Sequence, residues 1–145
     1  MRDYKIYTCG KMGGWPYSKQ MGWRREIDHA IVIRSKIPVK FFHPPIYYNF
    51  EVKRYKDENE IMEYDLAKLR ECDILVVNLD GIESSIGSCF EIATANAMNN
   101  FGNKHIFIIG IGDEDSVHPW IKSSMSRCER DVDSAADYIA TFLIT

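Results

Sequence analysis

The stretch Asp73–Ala97, DILVVNLDGIESSIGSCFEIATANA, constrains the fold more than any other part of the chain. It begins with the apolar run Ile74–Leu79, interrupted only by Asn78. A run of that kind, without polar alternation, fits a strand buried on both faces, as in the middle of a parallel sheet. The segment Asp80–Ser85 is small and polar, and beyond it Ile86, Cys89, Phe90, Ala93 and Ala97 recur at helical spacing. The unit is therefore strand, loop, helix, with the loop at the carboxyl end of the strand. Open α/β sheets bind ligands at that edge, where the strand order reverses. Two carboxylates belong to the unit, Asp80 at the strand's exit and Glu91 about one and a half helical turns past Ser85.

The flanking segments repeat the alternation. Tyr4–Cys9 is rich in β-favouring residues and reads as a first strand, ending in Gly10-Lys11-Met12-Gly13-Gly14. Glycines there let backbone come close to a ligand; the plain alternative is a strand-to-helix turn. Their spacing fits neither a dinucleotide fingerprint nor a Walker A loop. Ser18 is placed to cap a helix running to about Ser35, with Met21, Ile27, Ala30 and Ile31 facing inward. Val39–Phe42 reads as a second strand that Pro44-Pro45 ends. The next residues are unusually aromatic: Tyr47, Tyr48 and Asn49 either wall a pocket for a flat heterocycle or pack beneath their own loop. Asp57–Arg70 reads as a helix with Asp57 as cap, Glu60 completing a capping box, and Ile61, Leu66 and Leu69 toward the sheet. His105–Ile111 is another buried strand, followed by the acidic loop Gly112–Ser116. A short helix from His118-Pro119-Trp120, an edge strand at Arg127–Glu129 and a closing helix over Ser134–Leu143, capped by Asp133 or Ser134, complete the order.

This succession predicts an α/β fold: a five-stranded parallel sheet in the order 2-1-3-4-5 between helical layers, a flavodoxin-like or Rossmann-like three-layer sandwich. Its switch point lies between the strands ending at Gly10 and at Asp80, so the glycine turn and the serine-rich loop meet. With 145 residues and no internal repeat or linker, residues 1–145 read as one domain. Charged residues at 27% and a net charge of −3 give no basis for binding a nucleic-acid polymer. No apolar stretch approaches a membrane span, and the N-terminus lacks a signal peptide's apolar core. The four cysteines form no C-x-x-C pair and read as reduced core thiols of a cytoplasmic protein. The histidines at 29, 43, 105 and 118 lack ligand spacing, so neither metal nor cofactor is implied.

Chemistry at the switch point has two readings for each group. Ser84, Ser85 and Ser88 near a helix N-terminus either bind an anion such as a 5′-phosphate or cap the helix. Glu91 is either a solvent-facing helix residue or a nucleophile toward an acetal-like carbon, with Asp80 as proton shuttle.

Three motifs resemble those of the nucleoside 2-deoxyribosyltransferase family and its relatives that hydrolyse nucleotide N-glycosidic bonds. They are Lys5-Ile6-Tyr7-x-x-Gly10, the Phe41–Asn49 segment, and Gly87-Ser88-Cys89-Phe90-Glu91-Ile92-Ala93-x-Ala95. The last resembles the family's Gly-Thr-x-x-Glu-apolar-Gly-x-Ala, with Ser88 for Thr and Ala93 for Gly. The resemblance implies that Glu91 attacks the anomeric carbon and that Asp80 holds or protonates the nucleobase. It implies substrate contacts from Tyr7, Gly10, Met12, Gly13, Tyr48, Asn49, Ser85, Gly87 and Ser88. It further implies a nucleoside or nucleotide substrate, a free nucleobase as acceptor, and a homodimer or larger homo-oligomer, with Trp15 and Trp120 as interface or lid candidates. The serines resemble the monophosphate-hydrolase branch as much as the transferase branch, and a non-catalytic nucleotide sensor on the same scaffold is the other reading.

Overall fold

A computed structural model describes residues 3–48 and 54–145. Five strands form one sheet in the order β2-β1-β3-β4-β5, every neighbouring pair parallel. They are β1 (Tyr4–Cys9), β2 (Val39–Phe42), β3 (Ile74–Asn78), β4 (Phe107–Ile111) and β5 (Arg127–Glu129). The helices are α1 (Tyr17–Arg34), the single turn α2 (Pro44–Tyr47), α3 (Glu58–Glu71), α4 (Ile86–Phe101), α5 (Pro119–Ser124) and α6 (Val132–Tyr138). The predicted sheet order and flavodoxin-like α/β architecture are those observed. Central β3 runs between two neighbours with Ile74, Leu75, Val76 and Val77 all buried, which is why its sequence shows no alternation.

The two faces carry separate cores. On one, Ile27, Ala30 and Ile31 of α1 pack with Ala135 and Ala136 of α6 over Ile6, Ile74, Val76 and Ile109. On the other, Leu69 of α3 and Ile92 and Ala95 of α4 cover Tyr7, Leu75, Val77 and Ile108. Successive strand residues point to opposite faces, so each central strand feeds both layers.

The helix boundaries differ from expectation for local reasons. α1 starts at Tyr17 behind Pro16, whose fixed φ suits the entry, and Ser18 lies inside the helix rather than capping it. β2 ends at Phe42 before Pro44-Pro45 as expected, and the two prolines then open a helical turn, because proline is tolerated where helix N–H groups are unpaired anyway. Asp57 caps α3 as expected, accepting from the Glu60 amide at 3.0 Å. The Glu60 carboxylate accepts from Lys56 N at 2.9 Å instead of from the cap's own amide. The closing helix is capped by Asp131, which accepts from Ser134 N at 2.8 Å, and it ends in a wider π-type turn over Ile139–Leu143.

A polar chain pins the outer strand. The Thr8 hydroxyl meets His43 Nδ1 at 2.7 Å, and His43 Nε2 meets Asp28 Oδ2 at 2.9 Å. It joins β1, the end of β2 and α1, and so fixes where the chain enters α2 and reaches Tyr48. All four cysteines are free, with Cys9 and Cys72 buried. Among the described residues no helix is long and apolar enough to cross a membrane.

Leu75 is wholly buried in the core beneath α3 and α4. Leu75→Ala is expected to cost about 2–5 kcal/mol in urea denaturation, since its cavity opens where three elements meet.

Candidate active site

The register Ile6↔Ile74 to Cys9↔Val77 sets the ends of β1 and β3 side by side at one sheet edge. A cavity of about 400 Å³ opens there, lined by Gly10–Gly13, Tyr48, Glu58, Ile61, Asp65, Ser84–Ser88 and Glu91. The glycine loop and the serine-rich loop thus converge as their strand positions require. Gly10 has no room for a side chain: a Cβ there would lie 2.7 Å from Cζ2 of Trp23.

Glu91 projects from the second turn of α4 into this cavity, half-buried as a residue but with Oε2 sealed from solvent and without a hydrogen-bond partner. The fully buried Tyr7 hydroxyl faces it, close enough to stabilise its charge yet outside hydrogen-bond geometry, and likewise lacks a partner among the described residues. Burial dominates the carboxyl group and raises its pKa to about 8, with the nearby Asp65 charge adding to the rise. Tyr7 and the Arg24 guanidinium oppose that rise.

The second desolvated carboxylate of the cavity is Asp65, not Asp80; Glu58, also in the lining, is exposed. Asp80 is exposed and lies outside the cavity lining: its amide donates to the Asn78 side chain, and Gly81, at φ 67°, turns the chain directly after it. Asp65 belongs to α3, where its Oδ1 accepts a hydrogen bond from the Tyr48 hydroxyl. Burial raises its pKa to about 6 against the opposing effects of that hydrogen bond and of Arg24. Its sequence signal is visible in hindsight. Ile61, Asp65 and Leu69 sit at i, i+4 and i+8, so one acid interrupts an apolar stripe that faces the sheet.

The serines do not cap α4. Ser85 occupies the N-cap position, but its hydroxyl pairs with that of buried Ser88 at 2.7 Å, and no side chain caps the helix. Ser84 receives the Lys11 ammonium at 2.7 Å. Lys11 lies against Gly81, where an added Cβ would stand 3.0 Å from its Cδ, so the ammonium is held at the cavity wall.

Of the other expected residues, Gly10, Met12, Gly13, Tyr48, Ser85, Gly87 and Ser88 line the cavity with Glu91, while Tyr7 lies buried beside it. Asn49 falls outside the described residues. Trp15 is half-buried with Lys19 stacked on its ring, whereas Trp120 is 82% exposed. Among the described residues no cluster of metal-ligating side chains occurs.

No family profile matches the chain, and no curated protein does. A conserved protein from Enterococcus faecalis V583 has a similar structure over 95% of this chain and 98% of its own, with a TM-score of 0.75 and 16% identity. The TIR domains of the activated Roq1 resistosome that directly recognises the pathogen effector XopQ are similar over 92% of this chain and 84% of theirs. Their TM-score is 0.50 and their identity 10%. At these identities the likeness shows the fold alone.

Because the folded state holds the Glu91 proton more tightly than the unfolded chain, it binds more protons between the ordinary carboxyl pKa and about 8. Stability contributed by this group therefore falls as pH rises through that window. Glu91→Gln, which removes the titration, is expected to raise the melting temperature over wild type by a margin that grows from pH 4.5 to pH 8. A constant margin across that range in scanning calorimetry would count against the buried, raised carboxyl group.

Proposed function

We propose that the protein cleaves the N-glycosidic bond of a 2′-deoxynucleoside or its 5′-monophosphate through a covalent glycosyl–Glu91 intermediate. The deoxyribosyl group passes to a second nucleobase, or to water. The observation that carries this reading is the pairing of two unlike carboxyl groups in one cavity, Glu91 sealed at Oε2 and Asp65 tied to Tyr48. Retaining glycoside chemistry needs such a pair, one group as nucleophile and one as proton donor.

In the first step a Glu91 oxygen forms a bond to the anomeric carbon as the bond to the base nitrogen breaks. Asp65 gives its proton to the departing base, which leaves neutral. In the second step an acceptor base, or water, attacks the same carbon, its proton returns to Asp65, and Glu91 is released as carboxylate. The reactive arrangement thus carries one proton shared by the pair, placed on Asp65. Free of substrate, Glu91 holds a proton more firmly than Asp65, so the two titrate jointly and only one tautomer is productive. Positive charge developing on the sugar favours ionised Glu91 at the moment it is needed.

A specific observation favours the monophosphate. Lys11 held on Ser84, the Ser85–Ser88 hydroxyl pair and the uncapped N-terminus of α4 lie along one wall of the cavity. Cation, hydroxyls and helix end together suit a 5′-phosphate.

An assembly of like chains belongs to the same reading, together with a cytoplasmic role in nucleotide salvage. α4 and α5 enclose an apolar groove of about 640 Å³ that includes Ala93, Ala97, Phe101, Trp120 and Ile121. Ile86, Phe90 and Phe101 of α4 are left exposed beside it. A second copy covering this surface accounts for their exposure.

Chromatography of deoxynucleosides and their monophosphates incubated with the protein, with and without a second base, tests the proposal. Free base, or a new nucleoside when acceptor is present, is expected. Glu91→Gln should lower the rate at least about 10³-fold and Asp65→Asn about 10²–10⁴-fold, both remaining folded. Lys11→Met should raise KM for the monophosphate and leave the nucleoside nearly untouched. Undiminished turnover in folded Glu91→Gln, or silence across the whole panel, overturns the reading.

A further inference from the structure

Arg24 is the only lysine or arginine fully buried among the described residues. It stands in the second turn of α1, on the opposite face of the sheet from α3 and α4. A guanidinium taken out of water ordinarily needs a carboxylate partner. Here no carboxylate lies within ion-pair distance among the described residues. Its contacts are backbone carbonyls instead: Nη1 donates to Gln20 O at 2.5 Å and Nη2 to Gly10 O at 3.1 Å. Nε has no partner, and the group is stacked 4.7 Å from the centre of the Trp23 ring. A methionine or leucine at this buried position would avoid the whole desolvation cost, so a buried cation in this form calls for a reason.

Two features of its surroundings supply one. Gln20, one turn earlier on α1, donates from Nε2 to Met12 O at 3.0 Å and to Trp15 O at 2.8 Å. Gln20 and Arg24 together hold three carbonyl oxygens of the glycine loop, those of Gly10, Met12 and Trp15. In a planar trans peptide the N–H points opposite to the C=O, so the Lys11 and Gly13 amides are turned away from α1. The loop that borders the cavity is therefore shaped from behind by α1. The second feature is charge. The guanidinium acts on both cavity carboxyl groups, drawing Glu91 and Asp65 toward ionisation, and burial lowers its own pKa only to about 10, so it stays charged.

We infer that Arg24 is a positioning residue of the site: its fork to the Gly10 carbonyl sets the glycine loop, and its buried, carboxylate-free charge favours ionisation of Glu91 against the effect of burial. The groups that interact electrostatically with Glu91 are Tyr7 and Cys9 of β1, Tyr48 after α2, Asp65 of α3, Cys72 after α3, and Arg24, while Lys11 and Glu58 line the same cavity. Of the two cations only Arg24 is buried, and the Lys11 ammonium rests on the Ser84 hydroxyl. The rest are neutral or anionic, so none of them replaces the effect of Arg24.

The kinetic side of this inference rests on the N-glycoside-cleaving reading, and the spectroscopic side does not. The titration midpoint of Glu91 is read from its carboxyl stretch by infrared difference spectroscopy, assigned by its loss in Glu91→Gln. The pH profile of kcat/KM for a deoxynucleoside monophosphate is measured beside it. Arg24→Gln and Arg24→Met, which remove the charge, are expected to raise the midpoint by about one pH unit, a tenfold gain in proton affinity. The acid limb of kcat/KM should move with it. Arg24→Lys keeps the charge and loses the fork, so its midpoint should stay at the wild-type value while KM rises about tenfold. An unmoved midpoint in either folded neutral variant overturns the electrostatic role. Should neither neutral variant fold, Arg24→Lys still decides the brace, which an unchanged KM overturns. If the wild-type protein releases no base from any substrate, the catalytic reading fails and the infrared midpoints alone judge Arg24.

Discussion

The pairing of β1 with β3 is the constraint from which the site follows. Four residues of each strand lie in register, Ile6 to Cys9 against Ile74 to Val77, and this sets two chain exits next to each other. From that seam the connections diverge. The chain leaves β1 for α1 on one face, and leaves β3 for α4 on the other. Residues from opposite layers therefore reach the same edge: Gln20 and Arg24 from one side, Ser88 and Glu91 from the other. A right-handed crossover from each strand permits no other arrangement in this strand order. Shift the β1–β3 register by one residue and Tyr7 leaves the core that it shares with Ile92 and Ala95 of α4.

What that edge contains works against stability. Two carboxyl groups desolvated in one cavity both hold protons beyond their ordinary range, and the Tyr7 hydroxyl and Glu91 Oε2 have no partners. A core selected for stability alone would fill this volume with aliphatic side chains, as the rest of the Leu75 core does. The compensation is indirect. Tyr48 satisfies Asp65, and Arg24 contributes positive charge through the sheet edge without forming the ion pair that would neutralise either acid. A direct salt bridge to either acid would favour its ionised form far more strongly.

The sheet was readable because its signals are local. Ile74–Val77 has no alternation, and each strand is followed by turn residues and then by helical spacing, which fixes order and face. Glu91 was readable only through the motif around it, since a lone glutamate on a helix has no pattern of its own. Asp65 carries a weaker sequence signal than Asp80, because a strand exit is where open α/β sheets bind ligands, whereas an acid inside an apolar stripe resembles a lapse in the stripe. Nothing in the residue sequence says that Asn78 and Gly81 together turn Asp80 outward. Arg24 was illegible for a different reason: among Trp23, Arg25 and Glu26 it looks like any solvated helix charge, and only three-dimensional packing places it at zero exposure.

The caps differ from helix to helix. α3, whose first residue Glu58 lines the cavity, and α6 are each capped by an aspartate with further acid in the first turn. α1, which follows the glycine loop, and α4, which opens at the cavity, have neither a side-chain cap nor an acidic residue in the first turn. At α4 the deficit is not for want of a capping residue, because Ser85 stands at the N-cap and commits its hydroxyl to Ser88. The partial positive charge of that helix end is thus left unanswered by the chain, beside a lysine whose ammonium rests on a neutral hydroxyl. A negative group arriving with the substrate would meet unpaired amides, the hydroxyl pair and the ammonium in one place. The two desolvated acids, Glu91 and Asp65, make no hydrogen bond to these serines or to Lys11 among the described residues. On the proposed reading, that combination of ammonium, hydroxyls and helix end is what would favour a phosphorylated substrate over a free nucleoside.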